Sequence, residues 1–177
     1  MQSKVFLGLS MVAVLSLFSC NQERKKVPLQ DISQEQVNEK LVEANKAAIE
    51  IENRQIDQVI ASKGWKMIKT ATGLRYQELE KGSGAFATAG KIARFEYDVQ
   101  LITGETIYSS DNTGPKEFRI GSGGVESGLE EGILLLKTGD KVRFIIPSYL
   151  AHGLSGDQDK IPPKATLIYT VKLIDLK

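Results

Sequence analysis

The chain has 177 residues, 41% of them hydrophobic, and 23 Lys and Arg against 22 Asp and Glu, for a formal net charge of +1. This globular composition leaves room for one modest domain plus extra segments, and the charge balance favours no particular partner. No basic patch is interleaved with aromatics, which argues against nucleic acid, while one cysteine excludes an intrachain disulfide and one histidine argues against a multi-residue zinc site.

Met1 to Cys20 opens with Lys4, runs apolar from Val5 to Phe18, and ends in Ser19-Cys20. The run is too short for an ordinary membrane span and suits a secretory signal. A cysteine after a small residue at its end resembles a bacterial lipobox. The expectation is a lipoprotein signal peptide over 1–19, with Cys20 lipidated and the rest tethered to a membrane of the cell envelope, facing away from the cytoplasm. Asn21 after the cysteine leans toward the outer membrane. The bland alternative leaves Cys20 as a buried thiol or part of an anchor helix.

Residues 20–32 are polar, with Lys25, Lys26 and Pro28, and predict a flexible tether. Ser33 followed by Gln36 is a capping box opening an amphipathic helix over 33–64, with Val37, Leu41, Ala44, Ala48 and Ile51 at helical spacing, then Ile56, Val59 and Ile60, and Gly64 as the stop. At 1.5 Å per residue such a helix is roughly 45 Å long. Two readings stand for it: packing on its own domain, or a homodimerisation arm. Residues 65–71 form a junction in which Trp65, the only tryptophan, is a packing anchor or a ligand-stacking ring.

Past the junction, Gly82-Ser83-Gly84 forms a glycine-rich turn. Ala93, Phe95, Tyr97, Val99 and Leu101 alternate with Arg94, Glu96, Asp98 and Gln100, the pattern of a half-buried strand. It turns at Thr103-Gly104 into a short strand through Ile107 and Tyr108. Glu126 or Ser127 caps a short helix through Leu129, Ile133 and Leu136, with Gly139 as its stop. Strands follow over 140–147, where Val142, Phe144 and Ile146 alternate with Lys141, Arg143 and Ile145, and over 167–173, separated by a Gly, Asp and Pro-rich loop, Ser148 to Pro163. A loop that long in a compact domain is more often functional than idle. Short, mostly antiparallel strands around one small helix describe an α+β domain.

The segments GLEEGI, Gly139-Asp140, IPSYLAHG, IPPKATLIYTVKLI and, upstream, EYDVQLITGETIYSS resemble the FKBP-type peptidyl-prolyl isomerase family over about 72–177. Thr72 to Tyr76 resembles the first strand of the family's bacterial domains, and the chain as a whole resembles the bacterial lipoprotein form with a helical N-terminal extension. The resemblance implies a twisted antiparallel sheet wrapped around one short helix, preceded here by the long helix, and isomerisation of X-Pro bonds of exported proteins without cofactor or metal. It implies a pocket with Tyr97 on the inner strand, Phe118 and Val125 on one wall, and Ile161 and Tyr169 on the far side. Leu129 takes the place of a tryptophan floor, and the backbone N–H of Glu126 corresponds to a donor to a substrate carbonyl.

Three departures accompany it. Ile107-Tyr108 replaces a Phe-Asp pair and removes a carboxylate; both positions remain in the implied binding set. Lys116 stands where an aromatic is common. His152 replaces a tyrosine whose hydroxyl meets the ligand, and it is otherwise a loop histidine without a role. Tyr97 and Tyr169 have ordinary core packing as their bland reading. Asp157 and Asp159 lack the Gly and distal Glu of an EF-hand, leaving a solvated loop. The leading expectation is a membrane-anchored isomerase acting on proline-containing polypeptides. The alternative is a weakly active or inactive chaperone or assembly module on the same fold.

Overall fold

The computed structural model describes residues 33–177. The expectations for the signal peptide, Cys20 and the tether lie outside the described residues. Helix α1 runs Gln34–Lys63. Ser33 accepts from Gln36 N–H while the Gln36 side chain accepts from Ser33 N–H, and Gly64 ends the helix in the left-handed region at φ +65°. No described helix is long and apolar enough to cross a membrane.

One antiparallel sheet follows, built from β1 (Ile68–Lys69), β2 (Arg75–Glu80), β3 (Ile92–Leu101), β4 (Thr106–Ser109), β5 (Lys116–Arg119), β6 (Lys141–Ile146) and β7 (Leu167–Leu176). The order is β1-β2-β6-β7-β3-β4, with β5 also paired to β3. β1 and β5 were not anticipated from sequence. Both are very short, and β1 lies in the stretch read as a junction. Two further helices are short: α2 (Ser110–Thr113) and α3 (Ser127–Leu134).

The alternation in β3 is realised as Ala93, Phe95, Tyr97 and Val99, all buried. With Phe144, Ile146, Leu167, Tyr169, Val171 and Leu173 from β6 and β7, and Leu129 and Ile133 from α3, they form the main core on one face of the sheet. Ile145 and Ile168 are partners in register and point to the other face, where Ile56 of α1 covers them with Ile60, Trp65 and Met67. Ile145 is therefore a core residue, not the outward position that period-two alternation assigned it. Burying Ile56 completely contributes roughly 1.5–3 kcal/mol. The part of α1 after Ile51 packs on its own domain, whereas Leu41, Val42 and Ile51 stand more than half or about half exposed.

That docking is reinforced by Arg75, whose side chain is buried. It donates to Gly73 O at 2.7 Å and to Asn53 Oδ1 of α1 at 2.6 Å, and meets Asp57 at 3.3 Å. Trp65 lies with the Arg143 guanidinium 4.1 Å above its ring, a packing position at the junction.

Helix α3 is shorter than its periodicity suggests. It ends at Leu134 with Leu135 still right-handed, and Gly139, at φ +96°, belongs to the next turn, where it donates to Leu173 O. The turn is held by Asp140, which accepts from Gly82 N–H at 2.6 Å and Lys137 N–H at 2.7 Å. The chain before β6 is thereby bound back to the Gly82–Gly84 turn.

Candidate functional site

Two strands share one edge of β3, β5 along Ile92–Phe95 and β4 along Asp98–Gln100. Tyr97 sits in the gap between them, and its N–H donates to Ser110 Oγ at 3.0 Å. Splitting β4 from β5 opens the sheet above Tyr97, and a pocket of about 510 Å³ occupies the opening. This is within the roughly 300–1,000 Å³ usual for small-molecule sites. Phe95, Tyr97, Lys116, Val125, Glu126, Leu129, Ala151, His152 and Tyr169 line it, together with Glu117 and Gly124.

Six of the residues named from sequence therefore converge: Tyr97, Val125, Glu126, Leu129, His152 and Tyr169. Phe118, Ile107 and Ile161 do not line the pocket. They lie in the same buried cluster, with Phe118 edge-on to the Phe95 ring at 5.9 Å. Tyr108 is turned elsewhere: its hydroxyl donates to Asp157 at 2.5 Å and contacts Asp159 at 3.2 Å. That bond and burial push the Tyr108 phenol up to about 12.

Asp157 does more than face solvent. Its Oδ1 also accepts from the N–H groups of Asp159 and Ile161, and its carboxyl lies at about 2: burial acts to raise it and these bonds outweigh that. The Ser148–Pro163 loop is thus anchored to β4.

Sequence reasoning missed Phe95, Glu117, Gly124 and Ala151 as lining residues, although the alternation in β3 had already placed Phe95 on the face of Tyr97. Lys116 is in register with Phe95, and its ammonium lies 4.7 Å from the Tyr97 ring centroid. A cation over that ring takes the position expected of an aromatic. The Tyr97 hydroxyl bonds Thr113 Oγ1 at 3.0 Å, joining the pocket to α2.

The main surprise is the Glu126 side chain. Glu126 occupies the N-cap of α3 but makes no side-chain cap. Its Oε1 instead accepts the Tyr169 hydroxyl at 2.6 Å and lies 2.8 Å from His152 Nε2, with the carboxylate largely buried. A backbone role alone does not describe this residue. Burial, then the Glu126 charge, holds the Tyr169 phenol far above its usual range, so the phenol remains a donor. The walls are apolar and aromatic, with one carboxylate, one imidazole and one ammonium placed on them. Among the described residues no group of three or more His, Cys, Asp or Glu is placed to hold a metal ion.

A twisted antiparallel sheet closing over one short helix, with an aromatic pocket at the split edge of a central strand, is the architecture of a prolyl-isomerase-type domain. The family model for FKBP-type peptidyl-prolyl cis-trans isomerase matches residues 83–174, just over half of the chain, and the chain belongs to that family. A probable FKBP-type isomerase FkpA of Neisseria meningitidis is 42% identical over 108 residues, 60% of this chain and 39% of that protein. A probable FKBP-type isomerase of Haemophilus influenzae is 33% identical over 149 residues, 80% of this chain and 61% of that protein. The chain thus spans less than two thirds of either curated relative. The crystal structure of FkpA from Escherichia coli superposes with a TM-score of 0.64 at 28% identity, over 84% of this chain and 75% of that one.

Proposed function

We propose that the chain is a peptidyl-prolyl cis-trans isomerase acting on X-Pro bonds of exported polypeptides, with the pocket around Tyr97 as its site. The observation that carries this is the aromatic pocket itself, in a chain of this family. Rotation about a peptide bond is opposed by resonance, with a barrier of about 18–20 kcal/mol. The twisted amide has lost conjugation and much of its charge separation, so a water-poor, apolar pocket that seats the prolyl ring favours it over the planar form. Phe95, Tyr97, Val125, Leu129 and Tyr169 supply the apolar surface. The N–H of Glu126 is the donor assigned to a substrate carbonyl, while the His152 imidazole is held on the Glu126 carboxylate. No nucleophile, metal or cofactor enters the reaction.

Such an isomerase acts where X-Pro exchange, which takes about 10–100 s unassisted, limits folding. The pattern of Met1 to Cys20 supports lipidation at Cys20 and an extracytoplasmic location, the outer membrane being favoured by Asn21. The exposed Leu41, Val42 and Ile51 support pairing of two chains along α1. Sedimentation of a Leu41→Glu, Val42→Glu variant checks the pairing, since an unchanged mass removes it.

The test of activity is cis-to-trans exchange of a proline tetrapeptide by the chain from Asn21 onward. Acceleration lost in Tyr97→Ala, with folding retained, is the expected result. No acceleration from the folded chain shifts the reading to a binding module. The carboxylate of Glu126 and the ammonium of Lys116 on the pocket wall favour that second reading, because each makes the site more polar than a purely apolar proline seat. It predicts slowed aggregation of an unfolded client without peptide exchange.

A further inference from the structure

Glu52, half-buried on α1, receives three donors from distant parts of the chain. Ser148 N–H reaches its Oε1 at 2.6 Å, the Thr166 hydroxyl reaches the same atom at 2.5 Å, and the Ser148 hydroxyl reaches Oε2 at 3.0 Å. These two donor residues begin the segments that carry the pocket's polar groups. Ser148 opens the 3₁₀ turn Ser148–Leu150, and its carbonyl accepts from Ala151 N–H and Gly153 N–H, on either side of His152. Thr166 is buried immediately before β7, three residues ahead of Tyr169. His152 and Tyr169 then meet on the single oxygen Glu126 Oε1.

Hydrogen bonds to an ionised acceptor are roughly twice as strong as neutral ones, and here they join groups far apart in sequence. We propose that Glu52 is a positioning residue for the pocket. Through it, α1 sets the spacing between the turn bearing His152 and the strand bearing Tyr169, which makes the helix part of the working site. The effect on turnover rests on the isomerase reading; the effect on pocket geometry does not.

The experiment compares the full chain with Glu52→Ala, Glu52→Gln, Thr166→Val and Asn53→Ala. X-Pro peptide exchange is resolved into kcat and KM, and the imidazole Cε1–H resonance of His152 is followed by proton NMR. With one histidine in the chain, that signal is unique. Glu52→Ala is expected to move the resonance and to lower kcat/KM about fivefold, chiefly through kcat. Glu52→Gln keeps acceptors for Ser148 N–H and the Thr166 hydroxyl, and restores both readouts. Thr166→Val removes one donor and moves the resonance in the same direction by less. Asn53→Ala loosens α1 at Arg75 instead, and leaves resonance and kcat at parental values. An unmoved resonance in folded Glu52→Ala, failure of Glu52→Gln to rescue, or an equal effect of Asn53→Ala overturns the proposal. If the parent has no exchange activity, the isomerase reading fails and the His152 resonance alone decides the positioning.

Discussion

The Tyr169 hydroxyl donates to Glu126 Oε1 at 2.6 Å, tying the start of β7 to the N-terminus of α3 across the pocket. Tyr169 is nearly fully buried and Glu126 largely so, and this bond sets the width of the site between sheet and helix. Removing the hydroxyl leaves a buried carboxylate with His152 as its only remaining side-chain partner among the described residues. Tyr169→Phe is expected to cost about 2 kcal/mol in denaturant unfolding, the range for hydrogen bonds to charged groups. A loss below a few tenths of a kcal/mol contradicts the role given to this pair.

Gly132 of α3 packs against the Phe144 ring of β6, and a Cβ there would meet the ring at 2.8 Å. Gly132→Ala raises helix propensity but must displace a fully buried ring. The expected net result is destabilisation by about 1–3 kcal/mol, because overpacking outweighs propensity. Thermal unfolding of the variant checks the sign.

Arg75 and Asp57 form an unequal pair: the guanidinium side chain is 2% exposed and the carboxylate 65%. Arg75→Ala removes the bonds to Gly73 and Asn53, opens a cavity beneath α1, and is expected to cost about 3 kcal/mol. Asp57→Ala removes one solvated charge and is expected to change stability by less than about 0.5 kcal/mol. Urea midpoints of the two variants separate these values.

The bond from Tyr108 to Asp157 needs a protonated phenol and an ionised carboxyl. Asp157 is depressed from 3.8 to about 2, so its contribution is full above 3.8 and is lost as pH falls through about 2. Tyr108 is raised from 10.0 to about 12, so its contribution is full below 10.0 and is lost as pH rises through about 12. The stability difference between the parent and Tyr108→Phe is therefore flat from pH 4 to 10, and shrinks at both ends. Unfolding curves across pH test this, and a difference that grows at either end refutes it.

Local rules carried much of the fold. The capping box at Ser33 and the left-handed Gly64 bound α1, and period two in β3 placed Phe95, Tyr97 and Val99 on one buried face. Where the rules failed, long-range packing had intervened. Ile145 reads as an outward position, yet α1 covers that side of the sheet, so both faces of β6 are buried there. α3 stops before Gly139 because the following residues are drawn into contacts with the Gly82–Gly84 segment. At Tyr108 the sequence shows the loss of a carboxylate, but the compensating bond crosses to Asp157 through a loop whose path no local pattern encodes.

By itself the sequence determined the α+β class, the long capped helix and the aromatic positions facing one interior, since each follows from spacing along a single segment. Only the tertiary structure decided that the Glu126 carboxylate enters the pocket, that Lys116 covers Tyr97, and that Glu52 of α1 grips the segments bearing His152 and Tyr169. Each of these joins residues from separate elements, and their distances are set by the packing of helices and sheet around a common core.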